Sequence, residues 1–245
     1  MITIDKLRKN FGEKVAVNIA DYTVQRGDLL GLVGNNGAGK TTFFRLLLDL
    51  LKADEGTVTY HFSASKNNED GEGITVNPAL SELWKEYTGA YIDEGFLIDF
   101  FTPEEYFSFI GSVCGMEKDT IEARQNDFEQ LMGGEIIGQK KLIRDLSAGN
   151  KQKVGIIAAL FNKPEVVILD EPFNFLDPSS QNILKHLLAE YNRETGATIL
   201  ISSHNLAHTI DICPRITLME AGEIKEDFDN KNGEAREKLE EYFKA

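Results

Sequence analysis

The chain has 245 residues, 42% of them hydrophobic, enough for one large domain or a core with a small lobe, which excludes disorder of the whole chain. Forty acidic residues face 26 basic ones, and the formal net charge of −14 argues against nucleic-acid binding through the general field of the protein. Two cysteines, Cys114 and Cys213, have no metal-ligand spacing and make no disulfide framework, so both are expected as small core hydrophobes in a reducing compartment.

The opening residues, Met1 to Lys14, contain no apolar signal-peptide core. No uncharged apolar stretch in the chain reaches the roughly 18 residues of a membrane span, so any membrane role is expected to come through a partner. Ile2 and Ile4 alternate with polar residues. Val15 to Val24 is a second short apolar run, interrupted by Asn18, and Arg26-Gly27-Asp28 reads as a turn. Leu29-Leu30-Gly31-Leu32-Val33 is uninterrupted and predicts a buried strand. It breaks into a Gly/Asn-rich loop at 34–39, after which Thr41 to Leu51 predicts a helix. Gly56 to Tyr60 predicts a short strand and Ser63 to Gly73 an exposed loop.

From Thr102 to about Gly138 the prediction is mainly helical. Thr102-Pro103-Glu104-Glu105 reads as a cap, a first-position proline and acidic first-turn residues. Tyr106, Phe107, Phe109 and Ile110 form an apolar stripe, expected as lobe core or partner-facing surface. Residues 149–161 predict a helix, and Val166 to Leu169 a second buried strand ending in Asp170-Glu171. A helix follows at 179–192, then a third apolar strand, Thr198 to Ile201, ending at Ser202-Ser203-His204. Arg215 to Glu220 with Ala221-Gly222-Glu223 predicts a hairpin. The tail from Glu234 to Lys244 suits an amphipathic helix with Ala235, Leu239, Tyr242 and Phe243 on one face.

Gly34-Asn35-Asn36-Gly37-Ala38-Gly39-Lys40-Thr41 fits G-x-x-x-x-G-K-[ST] between a strand and a helix, the context a phosphate loop requires. Small residues let backbone N–H groups curl around anionic phosphates, and the helix adds its positive end. Lys40 is the point charge for the β and γ phosphates, and Thr41 offers a hydroxyl to magnesium. At the later strand end, Asp170 suits the metal and Glu171 can orient the attacking water for in-line transfer. Both segments are expected at the strand C-termini of one sheet, the usual ligand edge of an open α/β fold.

These residues carry a family resemblance over about 2–225. The chain resembles the ATP-binding cassette (ABC) ATPases, the nucleotide-binding components of ABC transporters. Its Asn-Asn-Gly-Ala-Gly-Lys-Thr-Thr loop, ending at Thr42, is close to the family's common form. Leu146-Ser147-Ala148-Gly149-Asn150 stands at the family signature. Leu169-Asp170-Glu171-Pro172 matches the second nucleotide motif, Phe175-Leu176-Asp177-Pro178 the D-loop, and His204 the switch histidine.

The resemblance implies that two cassettes pack head to tail and trap two ATP molecules with Mg2+. Lys40, Thr41, Asp170, Glu171 and His204 of one subunit would act on the same nucleotide as Ser147 and Gly149 of the other. Asp177 would couple the two sites. Phe11 stands where the family places an aromatic that stacks on adenine, a core phenylalanine being the alternative reading.

Two departures matter. Ala148 and Asn150 replace the usual glycine and glutamine of the signature, from which an altered rate or dimer affinity is expected rather than a dead site. At the Q-loop, where the family has a glutamine that touches magnesium, the segment reads Tyr91-Ile92-Asp93-Glu94-Gly95-Phe96. Glu94 is the better match, with Asp93 the alternative, and either acid would approach the metal.

The expected fold is a P-loop NTPase α/β core, with a mainly helical insertion at about 96–147, a small antiparallel β lobe and a C-terminal helix at about 234–244, all within one ABC-type domain. The expected function is ATP hydrolysis by a homodimer or heterodimer of cassettes. The dimer would lie peripherally at the cytoplasmic face of the membrane and drive a separate transmembrane permease. Resemblance to ABC-2-type systems favours export, and no nucleic-acid partner is expected. The rival readings are a cassette ATPase acting on ribosomes or DNA repair complexes, and an ATP-binding regulatory module with little turnover.

Overall fold

The computed structural model describes residues 1–64, 73–230, 233 and 235–244, without the side chains of residues 64, 240, 243 and 244. Two long strands open the chain, β1 (Ile2–Phe11) and β2 (Lys14–Val24). They pair antiparallel with Ile2 opposite Val24 and Ile4 opposite Tyr22. Ile2 and Ile4 are buried by the two-residue period of the strand. Lys6 then adopts left-handed backbone, and the buried position shifts to Leu7.

Strand β3 (Leu29–Val33) leads into helix α1 (Lys40–Leu47), which ends before the expected Leu51 because Asp49 turns left-handed at φ 51°. Strand β4 (Glu55–Ala64) is longer than the expected Gly56–Tyr60. With β5 (Gly73–Val76) it completes an antiparallel sheet in the order β2-β1-β4-β5. Most of the loop expected at Ser63–Gly73 lies outside the described residues. Strand β6 (Thr88–Tyr91) was not anticipated. At four residues with a central glycine it carries little local signal, and Gly89 is needed because a Cβ there would lie 1.8 Å from the Ala159 carbonyl.

Helices α2 (Pro103–Val113), α3 (Lys118–Asn126) and α4 (Glu129–Met132) follow. The first starts with the expected capping box, Thr102 accepting from the Glu105 backbone and Glu105 reaching back. Of its aromatic stripe, Tyr106 and Phe107 are buried while Phe109 is exposed. Cys213 is buried as expected. Cys114 is exposed: it caps the C-terminal end of α2, where the helix leaves the core.

The remaining elements are α5 (Ala148–Leu160), β7 (Val166–Leu169), α6 (Pro178–Thr195), β8 (Thr198–Ser203), α7 (Leu206–Ile212), β9 (Arg215–Glu220), β10 (Glu223–Asp229) and α8 (Ala235–Lys244). Helix α7, only seven residues long and capped by Asn205, was not anticipated. In α8, Ala235 and Leu239 are buried against the helical side of the core, with Tyr242 packed beside them; Phe243 lies outside the described side chains.

The main sheet runs β10-β9-β3-β8-β7-β6, with all neighbours parallel except β10 on β9. Its two faces feed two cores. Leu29 and Val33 of β3, with Val167, Leu169, Ile199 and Ile201, pack against the helices. Leu30 and Leu32, with Ile168 and Leu200, pack against α1 and the antiparallel sheet. Strands buried on both faces explain why these segments read as continuous apolar runs, each fully buried side chain contributing about 1.5–3 kcal/mol. No helix among the described residues is long and apolar enough to cross a membrane.

Candidate active site

The loop between β3 and α1 is shaped by glycine. Gly37 and Gly39 hold φ of 83° and 108°, which other residues adopt only with strain. Packing adds a second constraint, since a Cβ at Gly34 would lie 2.2 Å from the Met219 carbonyl and one at Gly39 2.4 Å from that of Ala16. The Gly222 N–H donates to the Ala38 carbonyl at 2.8 Å. The loop is thus clamped between β2 and the β9–β10 turn before any ligand arrives.

Lys40, the first residue of α1, is buried, and its ammonium donates to the carbonyls of Gly34 at 2.7 Å and Asn35 at 3.4 Å. The same Nζ lies 3.8 Å from Glu171 Oε1. Burial holds its pKa below the ordinary lysine range, with Glu171 and then Asp170 pulling it partly back.

The two acids leave β7 beside the end of β8. Leu169 pairs with Ile201, which brings Asp170 and Glu171 alongside Ser202. The buried Ser202 hydroxyl donates to Asp170 Oδ1 and accepts the Glu171 N–H at 2.9 Å. From the other neighbour, the Tyr91 carbonyl accepts the Asp170 N–H at 2.9 Å. Glu171 has left-handed backbone at φ 48°, and its carbonyl accepts from Gln152 Nε2 and from the Asn174 N–H, both at 3.1 Å. Its side chain reaches His204, whose Nδ1 lies 2.8 Å from Glu171 Oε2.

Lys40, Glu171 and His204 share a cavity of about 480 Å3 lined by residues 36–42, Phe11, Lys14, Ala16, Glu171, Asn174 and His204, while Asp170 lines an adjoining cavity that also reaches Glu171. Phe11 is half exposed at its edge, not a core residue. The residues fit a nucleoside triphosphate with Mg2+. The loop has room for phosphate only because glycine occupies its tight positions, Thr41 is exposed on the cavity wall, and Asp170 is a buried carboxylate. No cluster of three or more His, Cys, Asp or Glu suited to a metal exists among the described residues.

The other expected residues lie in adjoining surfaces. Ser147 caps α5, accepting the Asn150 N–H at 3.2 Å, and lines a separate cavity with Ala148, Gly149, Asn150 and Asp177. Asp177 caps α6, accepting the N–H groups of Ser179 at 2.9 Å and Ser180 at 3.0 Å. The Ser180 hydroxyl, then its N–H, hold the Asp177 carboxyl below its ordinary pKa. Glu94 is exposed, pairs with Lys151 at 3.3 Å and shares a third cavity with Asp170 and Glu171. Asp93 accepts from Gly95 N–H at 2.8 Å and pairs with Arg45 at 3.1 Å. Neither acid lines the cavity that holds Lys40 and Thr41.

Sequence reasoning missed Ser202, Gln152 and Asn174. Ser202 stood in view at the end of an apolar strand, but only the pairing of β7 with β8 makes it the neighbour of Asp170. Gln152 sits one turn into α5, and nothing local announces its bond to Glu171.

Comparison with known proteins agrees with this geometry. A family model described as ABC transporter matches residues 17–174. The chain is 32% identical over 242 residues to YhaQ of Bacillus subtilis (strain 168), an uncharacterized ABC transporter ATP-binding protein, covering 95% of this chain and 75% of that protein. It is 30% identical over 228 residues to the ABC transporter ATP-binding protein NatA of the same organism, covering 91% and 87%. Among solved structures, the dimeric structure of MJ0796, a bacterial ABC transporter cassette, matches with a TM-score of 0.79 at 21% identity over 94% of this chain and 99% of that one, a likeness of fold.

Proposed function

Because this chain belongs to the ABC transporter family of ATP-binding proteins, we propose that it is a Mg2+-dependent ATPase that works as one half of a cassette dimer and drives export through a separate transmembrane permease. The observation that carries this reading is the convergence of Lys40, Asp170, Glu171 and His204 at the C-terminal ends of the parallel strands β3, β7 and β8, with Glu171 bridging Lys40 and His204.

The mechanism follows from these groups. Lys40 exchanges the Gly34 and Asn35 carbonyls for the β and γ phosphate oxygens, a contact stronger than the one it gives up because the acceptor is charged. Thr41 and Asp170 would hold Mg2+, which would supply positive charge to neutralise the phosphates. Phe11 supports the base at the edge of the cavity, and the backbone of residues 34–39 with Thr42 cradles the phosphates. Glu171 accepts a hydrogen bond from the attacking water, and His204 fixes the carboxylate that does so. Ser202 and Gln152 hold Glu171 through its backbone, so the carboxylate needs little reorganisation.

Ser147, Ala148, Gly149 and Asn150 lie in a cavity apart from Lys40, and this supports their acting on the nucleotide of the opposite subunit. In this reading the exposed start of α5 offers its N–H groups to the partner's γ phosphate. Asp177 would couple the two sites, and Glu94, which shares a cavity with Asp170, would stand close to the metal environment. The cassettes, alike or different, sit peripherally on the cytoplasmic face of the membrane. The solved dimer of a cassette with this fold supports the dimeric arrangement.

Magnesium-dependent ATP turnover by the purified chain, beside a Glu171→Gln variant, tests the proposal. The variant is expected to lose roughly a hundredfold or more in turnover while keeping ATP-dependent dimerisation. Equal turnover in both proteins would remove Glu171 from the mechanism. ATP binding with no turnover in either would sink the self-sufficient hydrolase.

A further inference from the structure

For Glu171 and His204 to meet at 2.8 Å, the segment after β7 and the segment between β8 and α7 must keep their relative positions. A second contact joins the same two segments. The ring of His208, in the first turn of α7, stacks on that of Phe173, with centroids 4.7 Å apart and planes inclined by 29°. Phe173 is buried and follows Glu171 by two residues, while the half-buried His208 follows His204 by four.

The polar groups around this ring fix its protonation state. Asn205, which caps α7, commits its side-chain oxygen to the Ala207 N–H at 3.0 Å, so its amide nitrogen faces His208 Nε2 at 3.4 Å. An amide nitrogen only donates. Nε2 therefore accepts, and the proton of the neutral ring sits on Nδ1, which is buried and has no hydrogen-bond partner among the described residues. An imidazolium would turn one N–H toward a donor and leave the other without an acceptor. Attraction of a charged ring to the face of Phe173 works the other way, but it satisfies neither N–H.

Nearby charges also oppose the imidazolium. Helix α7 packs on β3, β8, α6 and α8. The two strands carry no ionisable side chain. Burial, then Lys185 of α6, hold the His208 pKa below the ordinary histidine range; Asp211 opposes this and His204 reinforces it. Asp211 is itself engaged by Lys185 at 2.8 Å and by Arg236 of α8 at 3.3 Å.

We propose that neutral His208 is a positioning residue for hydrolysis, clamping the segment of Glu171 to that of His204 through Phe173 and Asn205, and that its protonation loosens this clamp. The proposal rests on the reading above, in which Glu171 and His204 act together. Asn205 is tied across His204 to Ser203, its N–H donating to the Ser203 hydroxyl at 3.0 Å, so a shift of Asn205 carries the His204 backbone with it. His208 does not line the cavity of Lys40 and Thr41, and its effect falls on turnover rather than on ATP affinity.

The test measures ATP turnover by the full chain from about pH 5.5 to 8.5, beside His208→Gln and His208→Ala. Glutamine keeps an acceptor and a planar group that does not titrate, whereas alanine keeps neither. At about pH 8, kcat is expected to fall about tenfold in the alanine variant and to stay within about twofold of the parent in the glutamine variant, with KM for ATP unchanged in both. The ratio of parent to glutamine-variant kcat is expected to decline toward acid, with a midpoint below the reference 6.5. The ring-proton resonances of His208, identified by their loss in His208→Gln, should titrate with the same midpoint. This comparison stands even where the alanine variant fails to fold. A level ratio across the range, a glutamine variant as slow as the alanine one, or equal losses of kcat and ATP affinity would overturn the proposal and leave the ATPase reading intact. A parent that binds ATP without turnover would overturn the ATPase reading and the positioning role with it.

Discussion

The hydroxyl of Ser202 accepts the backbone N–H of Glu171 at 2.9 Å, a bond that crosses from the end of β8 to the residue just beyond β7. The same hydroxyl donates to Asp170, so one small side chain holds both acids of the site. Ser202→Ala would leave a buried carboxylate oxygen and an N–H without this partner. We expect a loss of about 1–3 kcal/mol of stability in urea unfolding. Turnover should fall further than ATP affinity, because the loop that grips the phosphates is not touched. Unchanged turnover would show that Glu171 is held adequately without Ser202.

Lys40→Met should remove the charged contact to the phosphates, worth about 1.5–3 kcal/mol, or roughly 10- to 150-fold in ATP affinity. Calorimetric titration with Mg-ATP reads this directly. Binding that survives at the parental level would mean that the backbone of the loop alone carries the phosphate affinity.

The same variant has a pH consequence. The Lys40 pKa is lowered in the folded chain below the reference 10.5, chiefly by burial. Between the folded value and 10.5 the unfolded chain therefore binds more protons, and this group makes stability rise with pH. Below the folded value its cost is fully present. Subtracting the stability-versus-pH curve of Lys40→Met from that of the parent isolates this component, which should slope upward toward pH 10.5. A flat or downward difference would contradict the burial account.

Gly149→Ala places a methyl against the Phe175 carbonyl, where a Cβ would lie 2.7 Å away. The turn must shift, and the expected result is a monomer that binds ATP normally but turns it over poorly in the dimer. Normal turnover would show that the signature turn tolerates displacement.

Arg215 supplies a contrast far from the chemistry. At the start of β9 its guanidinium bonds Asp28 and Asp227, both at 2.5 Å, and the Thr23 carbonyl at 3.0 Å. Burial disfavours its charge, but the Asp227 and Asp28 bonds outweigh this and raise its pKa. Arg215→Ala should cost about 2 kcal/mol, between the values for exposed and buried ion pairs. ATP turnover per folded molecule should be unaffected, as this network lies at the opposite strand edge from the phosphate loop. A turnover defect at full folding would reveal coupling across the sheet.

The phosphate loop was legible because its signals are local. Glycines at 34, 37 and 39, the Lys40-Thr41 pair and the apolar run before them follow from backbone sterics and strand burial within fifteen residues. The buried strands Val166–Leu169 and Thr198–Ile201 were legible for the same reason. Strands β5 and β6 were not: four residues are too few to establish a period, and the partner of β6, strand β7, lies nearly eighty residues along the chain. Cys114 shows the limit from the other side. Its residue type favours burial, but the end of α2 happens to face solvent.

The sequence by itself determined the chemistry available, a phosphate loop with its lysine, two acids at a strand end and a histidine after the next strand, because residue type and short spacing specify these. Only the tertiary structure decided that Ser202 would bind Asp170, that Gln152 would hold Glu171, that Asp93 and Glu94 would pair with Arg45 and Lys151, and that the ring of Phe175 would stand exposed. The physical reason is strand register and helix packing. A parallel pair such as β7 and β8 is aligned by hydrogen bonds and core packing between segments joined through a long helical crossover, and no local preference records which residues will meet there.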